Sequence, residues 1–382
     1  MEIILTLFAI TGAAIWLTIL LLPWRPWSTS EVLDVSSPLP EVDLGDITVL
    51  IPARNEAETI KATLPALTAQ GRGLNIILID DQSSDGTGQV ARKAVDENLL
   101  IIKGKSLPSG WTGKLWALEQ GRSHIRTPFT LLLDADIEPL PGIIGELKRA
   151  MQERDVQLIS LMAELRMDTF WEKLLMPAFI YFFKLLYPFR LSNTGTSRVA
   201  AAAGGCILLE TRLLHEIGGF DSLRGELIDD CALARRIKTL GYKTWIGLTH
   251  SVRSIRPYEK LRTIWEMVAR TAFTQLHYSG LVLALCTAVM VLSFVVPVLG
   301  LFLPSGMAKF FSALGLAIMI LCYLPTLKFY GLPGRWALAL PLIGILYLAM
   351  TWTSAMRYWL GGGSHWKGRT YSKRKDSSQD IS

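Results

Sequence analysis

Asp134 and Asp136 stand two apart at the end of the apolar run Leu131-Leu132-Leu133. As the strand implied by that run comes to its end, both carboxylates can turn toward one site and offer hard oxygen ligands to Mg2+ or Mn2+. A divalent cation there would hold the diphosphate of a nucleotide and stabilise it as it leaves. A second acidic pair, Asp229 and Asp230, starts a helical stretch that continues Cys231-Ala232-Leu233-Ala234-Arg235-Arg236. Carboxylates at that place suit the positive end of a helix dipole. One of them held near a substrate hydroxyl is also a general base, its pKa raised usefully by like charge beside it. A third cluster, Asp80-Asp81-Gln82-Ser83-Ser84-Asp85-Gly86-Thr87, follows a β-branched run, and Pro52-Ala53-Arg54-Asn55-Glu56 follows another. Acidic side chains at the end of a buried strand are costly unless they meet a ligand hydroxyl, an amide or a metal. The same Ser-Ser-Asp-Gly run is also a good turn and helix cap.

The elements that must position these residues are readable between Ile47 and about Gly247. Short β-branched runs at 47–51, 75–79, 99–102, 129–133, 156–161 and 206–209 alternate with amphipathic stretches at 56–70, 86–97, 114–124, 141–153 and 230–240. This alternation predicts an α/β domain with a mostly parallel sheet and helices on both faces. Such sheets bind ligands beyond the carboxyl ends of their strands, where the acidic clusters fall.

Outside that domain the composition changes. Residues 3–22, 280–303, 310–327 and 336–356 contain no Asp, Glu, Lys or Arg, and each run is long enough to cross a bilayer as a helix. A wholly soluble protein and a disordered one are both excluded. The first run lacks a basic n-region and a small-residue cleavage site, so it reads as a retained span rather than a signal peptide. Residues 28–46, rich in Ser, Pro and Asp, read as a linker. Residues 169–191 are aromatic and apolar but carry Glu172, Lys173, Lys184 and Arg190, which predicts a helix lying in the membrane interface; a buried helix of the soluble domain is the alternative. The expected organisation is a membrane helix over 1–23, a linker over 24–46 and a catalytic domain over 47–279. Spans over 280–356 and a basic, partly disordered tail over 357–382 complete it.

The net charge is +6, and six basic against two acidic residues in the last 26 supply most of it. The basic pI therefore reports a tail beside a membrane, with no aromatic-interleaved stripe to bind nucleic acid. Lys and Arg are absent before Thr18 and frequent after Leu22, which puts the amino end outside and the large domain in the cytoplasm. Three further spans would then carry the basic tail outside, against the same rule, unless one is re-entrant or the count differs. Cys206, Cys231, Cys286 and Cys322 form no CxxC pair and read as reduced core residues.

Three acidic clusters in this order, each after a strand or at a helix start, resemble the inverting glycosyltransferases of family 2, of GT-A fold, over roughly 47–276. The resemblance implies that Asp81 contacts the nucleotide base and that Asp134 and Asp136 bind the metal and the nucleotide sugar. It makes Asp230 the catalytic base, with Asp229 where Glu is more usual, and gives Pro52, Arg54 and Glu56 to the donor site. Lys114, in Gly113-Lys114, looks like the family's helix start beside the nucleotide phosphates, and Gly204-Gly205 like its acceptor-side loop. Membrane members often carry QxxRW after the base; here Met267-Val268-Ala269-Arg270-Thr271 retains only Arg270, which weakens an analogy to processive polysaccharide synthases. Trp366-Lys367-Gly368-Arg369 resembles a motif of lipid-directed relatives such as ceramide glucosyltransferases. The whole pattern looks closest to the hopene-associated glycosyltransferases of bacterial hopanoid loci.

The expected activity is transfer of a sugar from a nucleotide-diphosphate donor to a hydroxyl of a lipid-like acceptor, with inversion, at the bacterial inner membrane. The rivals are a polyprenyl-phosphate sugar transferase, a polysaccharide synthase, and a catalytically silent membrane scaffold. A transporter is disfavoured because the apolar spans hold no ionisable residue. His250 reads as structural rather than as a third metal ligand.

Overall fold

A computed structural model describes residues 2–35, 42–95, 97–361, 364–366 and 369–371. The tail's Lys367, Gly368, Lys373, Arg374 and Lys375 lie outside the described residues. The chain forms two compact units. One, Ser30–Arg166 with Tyr187–Pro257, contains the α/β sheet. The other gathers Met1–Thr29, Met167–Leu186 and Tyr258–Ser382.

The sheet has eight strands: β1 (Ile47–Ala53), β2 (Asn75–Asp80), β3 (Leu99–Lys103), β4 (Phe129–Leu133), β5 (Ile137–Pro139), β6 (Leu158–Glu164), β7 (Cys206–Glu210) and β8 (Thr244–Ser254), in the order β3-β2-β1-β4-β7-β6-β8-β5. β3, β2, β1 and β4 are parallel, as are β6 and β8. β7 runs antiparallel to both β4 and β6, and β5 antiparallel to β8. Both faces are covered because strand side chains alternate. Val49 and Ile51 join Ile60, Leu64, Ile144 and Leu147 on one side, while Leu50 joins Leu115, Leu118, Leu233 and Ile237 on the other. Each such fully buried aliphatic side chain contributes about 1.5–3 kcal/mol.

The topology gathers the chemistry at one edge. The parallel strands β1, β2 and β4 end there with Ala53, Asp80 and Leu133. The reversed β7 begins there, with Cys206 opposite Leu133 in register. Gly204 and Gly205 therefore enter the same edge as Asp134, whose N–H donates to the Gly205 carbonyl at 3.2 Å.

Two strands of this sheet, β5 and β8, were not among those expected. β5 has only three residues, directly after Asp136. β8 reads as mixed polar, yet Thr249 and Ser251 are buried. Their hydroxyls are satisfied by Asp34, which accepts hydrogen bonds from Thr249 Oγ1 (2.8 Å), Ser251 Oγ (3.0 Å) and the N–H groups of His250 (2.6 Å) and Ser251 (3.0 Å). Residues 30–35, expected in a linker, thus run along β8, with Val32 bridging Leu248 in parallel. Burial works against the Asp34 charge, but the Thr249, His250 and Ser251 donors outweigh it and hold its pKa below the usual carboxylate value.

Among the described residues of the other unit, four helices are long and apolar enough to cross a membrane: Glu2–Leu21, Gly280–Gly300, Gly306–Phe329 and Gly334–Trp359. Small residues let them approach closely. The Gly315 position faces the backbone of Ala13, and Trp16 donates to the Ser293 carbonyl at 2.8 Å. Phe170–Leu186 is a single helix with Pro177 inside it, and it clusters with these helices rather than with the sheet. Glu172 caps its start, accepting from the N–H groups of Asp168 and Thr169, and Tyr347 donates to the Leu175 carbonyl at 2.8 Å.

Candidate active site

Four loops build the site. The first two clasp each other. Arg54 leaves β1 and donates to the Asp81 carbonyl at 2.6 Å, and the Asp81 N–H returns to the Ala53 carbonyl at 2.8 Å. Asn55, in the left-handed region at φ 52°, exchanges bonds with the facing turn: its N–H donates to Ser83 Oγ, and its Oδ1 accepts from the Ser84 N–H. Asp85 accepts from the N–H of Ala57, so the Ser-Ser-Asp-Gly turn also caps the helix that follows the neighbouring strand, Ala57–Thr68. Asp81 is 1% exposed. Arg54 is thereby committed to the backbone of the Asp81 loop.

The third and fourth loops bring the charges together. Lys114 is the second residue of the helix Gly113–Arg122, and its Nζ lies 2.7 Å from Asp134 Oδ1 and 3.8 Å from Asp229 Oδ2. The same ammonium donates to the Gly204 carbonyl at 3.3 Å. Asp230 is oriented through both oxygens: Oδ2 accepts from the Gly204 N–H at 2.8 Å and Oδ1 from the Cys231 N–H at 2.7 Å. These residues line one pocket with Pro52, Leu133, Phe220 and Leu233. Lys114, Asp134, Gly204, Asp229 and Asp230, more than a hundred residues apart at the extremes, meet there.

The electrostatics follow from that crowding. Burial pushes the Asp230 carboxyl up, the Asp229 charge pushes it further, and Lys114 with two N–H donors pulls back; the result is about 6. Asp134 is also raised, by burial first and then by Asp136 and Asp229, against the pull of Lys114. Burial disfavours the Lys114 ammonium, but Asp134 and Asp229 outweigh it, so Lys114 stays charged well above neutral pH. Cys206 beneath is pushed up to about 12 by burial and by Asp134, and all four cysteines are free thiols. Cys206 is therefore protonated and unreactive at neutral pH.

Asp136 lies near enough for its charge to raise Asp134, and it has partners of its own. The Ile137 N–H donates to the Asp134 carbonyl at 3.1 Å, closing the turn that carries both carboxylates. Asp136 Oδ2 meets Arg256 Nε at 2.8 Å and Ser254 Oγ at 3.3 Å, while Arg256 Nη2 lies 2.5 Å from Glu56 Oε1. Sequence reasoning missed Arg256. The only signal was a guanidinium just past a strand end, and that strand was itself unrecognised. His250 Nδ1 faces Glu164 at 3.5 Å, and exposed Arg270 follows the helix Leu261–Ala269 in the other unit.

Among the described residues no group of three His, Cys, Asp or Glu side chains is placed to hold a metal. Mg2+ and its like are usually held by one or two carboxylates plus substrate phosphates, not by an all-protein cage. Asp134 and Asp136 fit that donor chemistry as hard oxygen ligands, and Asp136 Oδ1 takes no hydrogen bond among the described residues.

Comparison with known proteins agrees with this architecture. Residues 48–218 match the family described as glycosyl transferase family 2. The chain is 32% identical over 92 residues to a 4,4'-diaponeurosporenoate glycosyltransferase of Staphylococcus haemolyticus, covering 24% of each protein. It is 27% identical over 131 residues to an undecaprenyl-phosphate 4-deoxy-4-formamido-L-arabinose transferase of Edwardsiella ictaluri, covering 33% of this chain and 40% of that one. The chain thus spans between a quarter and two fifths of the length of these relatives. A solved mannosyltransferase of Pyrobaculum calidifontis, in complex with GDP-Man and Mn2+, superposes with a TM-score of 0.54 at 18% identity, over 92% of this chain and 98% of that one, and so shares its fold. With its strands ending in a shared acidic edge, the chain resembles glycosyl transferase family 2 over residues 48–218, nearly half of its length.

Proposed function

We propose that this protein transfers a glycosyl unit from a nucleotide-diphosphate sugar to a lipid acceptor, with inversion, and that the acceptor is of the polyprenyl-phosphate class. The observation that carries the transfer is the convergence of Lys114, Asp134, Asp229 and Asp230 on one pocket at the carboxyl edge of the sheet. Lys114 supplies fixed positive charge where a diphosphate would lie, and Asp81 and Pro52 sit at the strand ends where the nucleoside would enter. An ionised phosphate oxygen of the acceptor forms the bond to the anomeric carbon, the bond to the diphosphate breaks, and the nucleoside diphosphate leaves with the electron pair; with a hydroxyl acceptor, Asp230, aimed by two N–H groups, would take the proton as that bond forms. A divalent cation bound at Asp134 or Asp136 would neutralise charge on the departing phosphate.

The polyprenyl-phosphate class is favoured over the hopanoid-type hydroxyl because several relatives are named for undecaprenyl-phosphate transfer. The hydroxyl reading has one observation of its own, the oriented carboxylate of Asp230. A phosphate monoester loses its second proton near pH 6 and needs little base at neutral pH, whereas an alcohol needs one. The four apolar helices support a multi-pass protein of the bacterial inner membrane, and the absence of Lys and Arg before Thr18 with their frequency after Leu22 supports a catalytic domain on the cytoplasmic side. The test is to supply the purified full chain with UDP- and GDP-sugars, with and without Mg2+ or Mn2+, offering undecaprenyl phosphate and a hydroxyl lipid side by side. One sugar on undecaprenyl phosphate supports the proposal. A polymer, or transfer to the hydroxyl lipid alone, replaces it with the corresponding rival.

A further inference from the structure

We infer that Arg256, paired with Glu56, is the positioning residue for Asp136 and thereby sets the donor end of the site; this rests on the glycosyl-transfer reading above. The guanidinium lies between two carboxylates that are almost wholly buried, Asp136 at 9% and Glu56 at 8% exposed. Its Nε meets Asp136 Oδ2 at 2.8 Å, and its Nη2 meets Glu56 Oε1 at 2.5 Å. Ser254 Oγ donates to the same Oδ2 at 3.3 Å. The backbone joins in, because the Ile255 N–H donates to the Asp136 carbonyl at 2.9 Å. One oxygen of Asp136 is thus fastened, and Oδ1 is left without a hydrogen bond among the described residues, free to meet a cation.

The charge balance decides what this clamp does. A lone guanidinium on Asp136 would cancel its charge and repel a divalent cation. Glu56 neutralises Arg256 instead, so Asp136 keeps its own charge while its orientation is fixed. Glu56, expected from the sequence to touch the donor, spends Oε1 on Arg256 and accepts from Thr59 Oγ1 with Oε2 at 2.8 Å. Outer partners that orient a ligating carboxylate typically change metal affinity 10- to 100-fold when removed. Lys cannot replace Arg here, because one ammonium lacks the planar fork that spans two carboxylates.

The experiment titrates Mn2+ into the full-length protein with GDP or UDP present, reading free Mn2+ by its electron paramagnetic resonance signal and folding by the thermal midpoint. The double variant E56Q/R256Q keeps the local net charge and removes only the clamp. Mn2+ affinity is expected to fall about 10- to 100-fold with a near-normal thermal midpoint, and Arg256→Lys is expected not to restore it. Should the double variant fail to fold, Ser254→Ala removes a weaker contact to the same oxygen and is expected to cost about two- to fivefold. Wild-type Mn2+ affinity in the double variant, or in both Ser254→Ala and Arg256→Lys, overturns the positioning role and leaves the transferase reading standing. A wild type that takes up no Mn2+ with either nucleotide overturns both.

Discussion

The backbone of Gly204 holds Asp230 and Lys114 at once: its N–H donates to Asp230 Oδ2 at 2.8 Å, and its carbonyl accepts from Lys114 Nζ at 3.3 Å. The backbone of a single residue therefore spaces the basic and acidic halves of the pocket. A Cβ at this position would sit 3.1 Å from Lys114 Nζ and 3.2 Å from Asp230 Oδ2. Both neighbours are side-chain ends, so they move rather than the fold. Gly204→Ala is expected to lower kcat about 10- to 100-fold through misplacement of reacting groups, with a smaller change in KM for the donor and an almost unchanged thermal midpoint. Steady-state kinetics beside a melting curve check this.

Asp230→Asn separates the two acceptor chemistries. Loss of a general base costs about 10²–10⁴-fold where the acceptor is a hydroxyl. With undecaprenyl phosphate, largely deprotonated at neutral pH, the loss is expected to stay below about tenfold. Nucleoside diphosphate binding, measured by calorimetry, should remain in both cases.

The pH profile follows from the same carboxylate. Asp230 is pushed up to about 6, and only its ionised form takes a proton. Transfer to a hydroxyl acceptor is therefore expected to rise as pH climbs through about 6 and to level off above it. A profile measured from pH 5 to 8 with that acceptor checks it, and an acid limb near 4 would show that Asp230 is not the titrating group.

Lys114→Met leaves Asp134, Asp229 and Asp230 without their shared cation. Donor affinity is expected to fall about 10- to 100-fold, the worth of a charged hydrogen bond to phosphate. The carboxyls lose the charge that held them down, so the acid limb should move to higher pH. Binding titrations at pH 6 and 8 read both effects.

Asp34→Asn tests the strap along β8. The Asp34 carboxylate is held below its usual pKa, so its stabilisation is present at neutral pH and disappears as pH falls through the folded value. The variant is expected to lose on the order of 1–2 kcal/mol, less than a fully buried charged bond because solvent reaches the group. The difference from wild type should shrink below pH 4, as denaturant melts at two pH values would show.

The acidic edge was legible because its chemistry is local: Asp134 and Asp230 each follow or begin an element whose hydrophobic pattern is plain. Asp80 and Asp81 were marked in the same way by the apolar run Ile76–Ile79. What stayed hidden depends on partners far away in sequence. β8 was obscured because Thr249 and Ser251 are polar, and only Asp34, more than two hundred residues earlier, makes their burial affordable. With β8 unseen, Arg256 had no place beside Asp136.

The most direct measurement is mass spectrometry of the lipid after wild type and Asp134→Asn are incubated with nucleotide sugars, Mn2+ and undecaprenyl phosphate. One added sugar per lipid with wild type, reduced at least tenfold in the variant, is the expected result. Equal product from the two proteins, or none from a wild type that binds donor, would contradict a transferase centred on the Lys114–Asp134 pair.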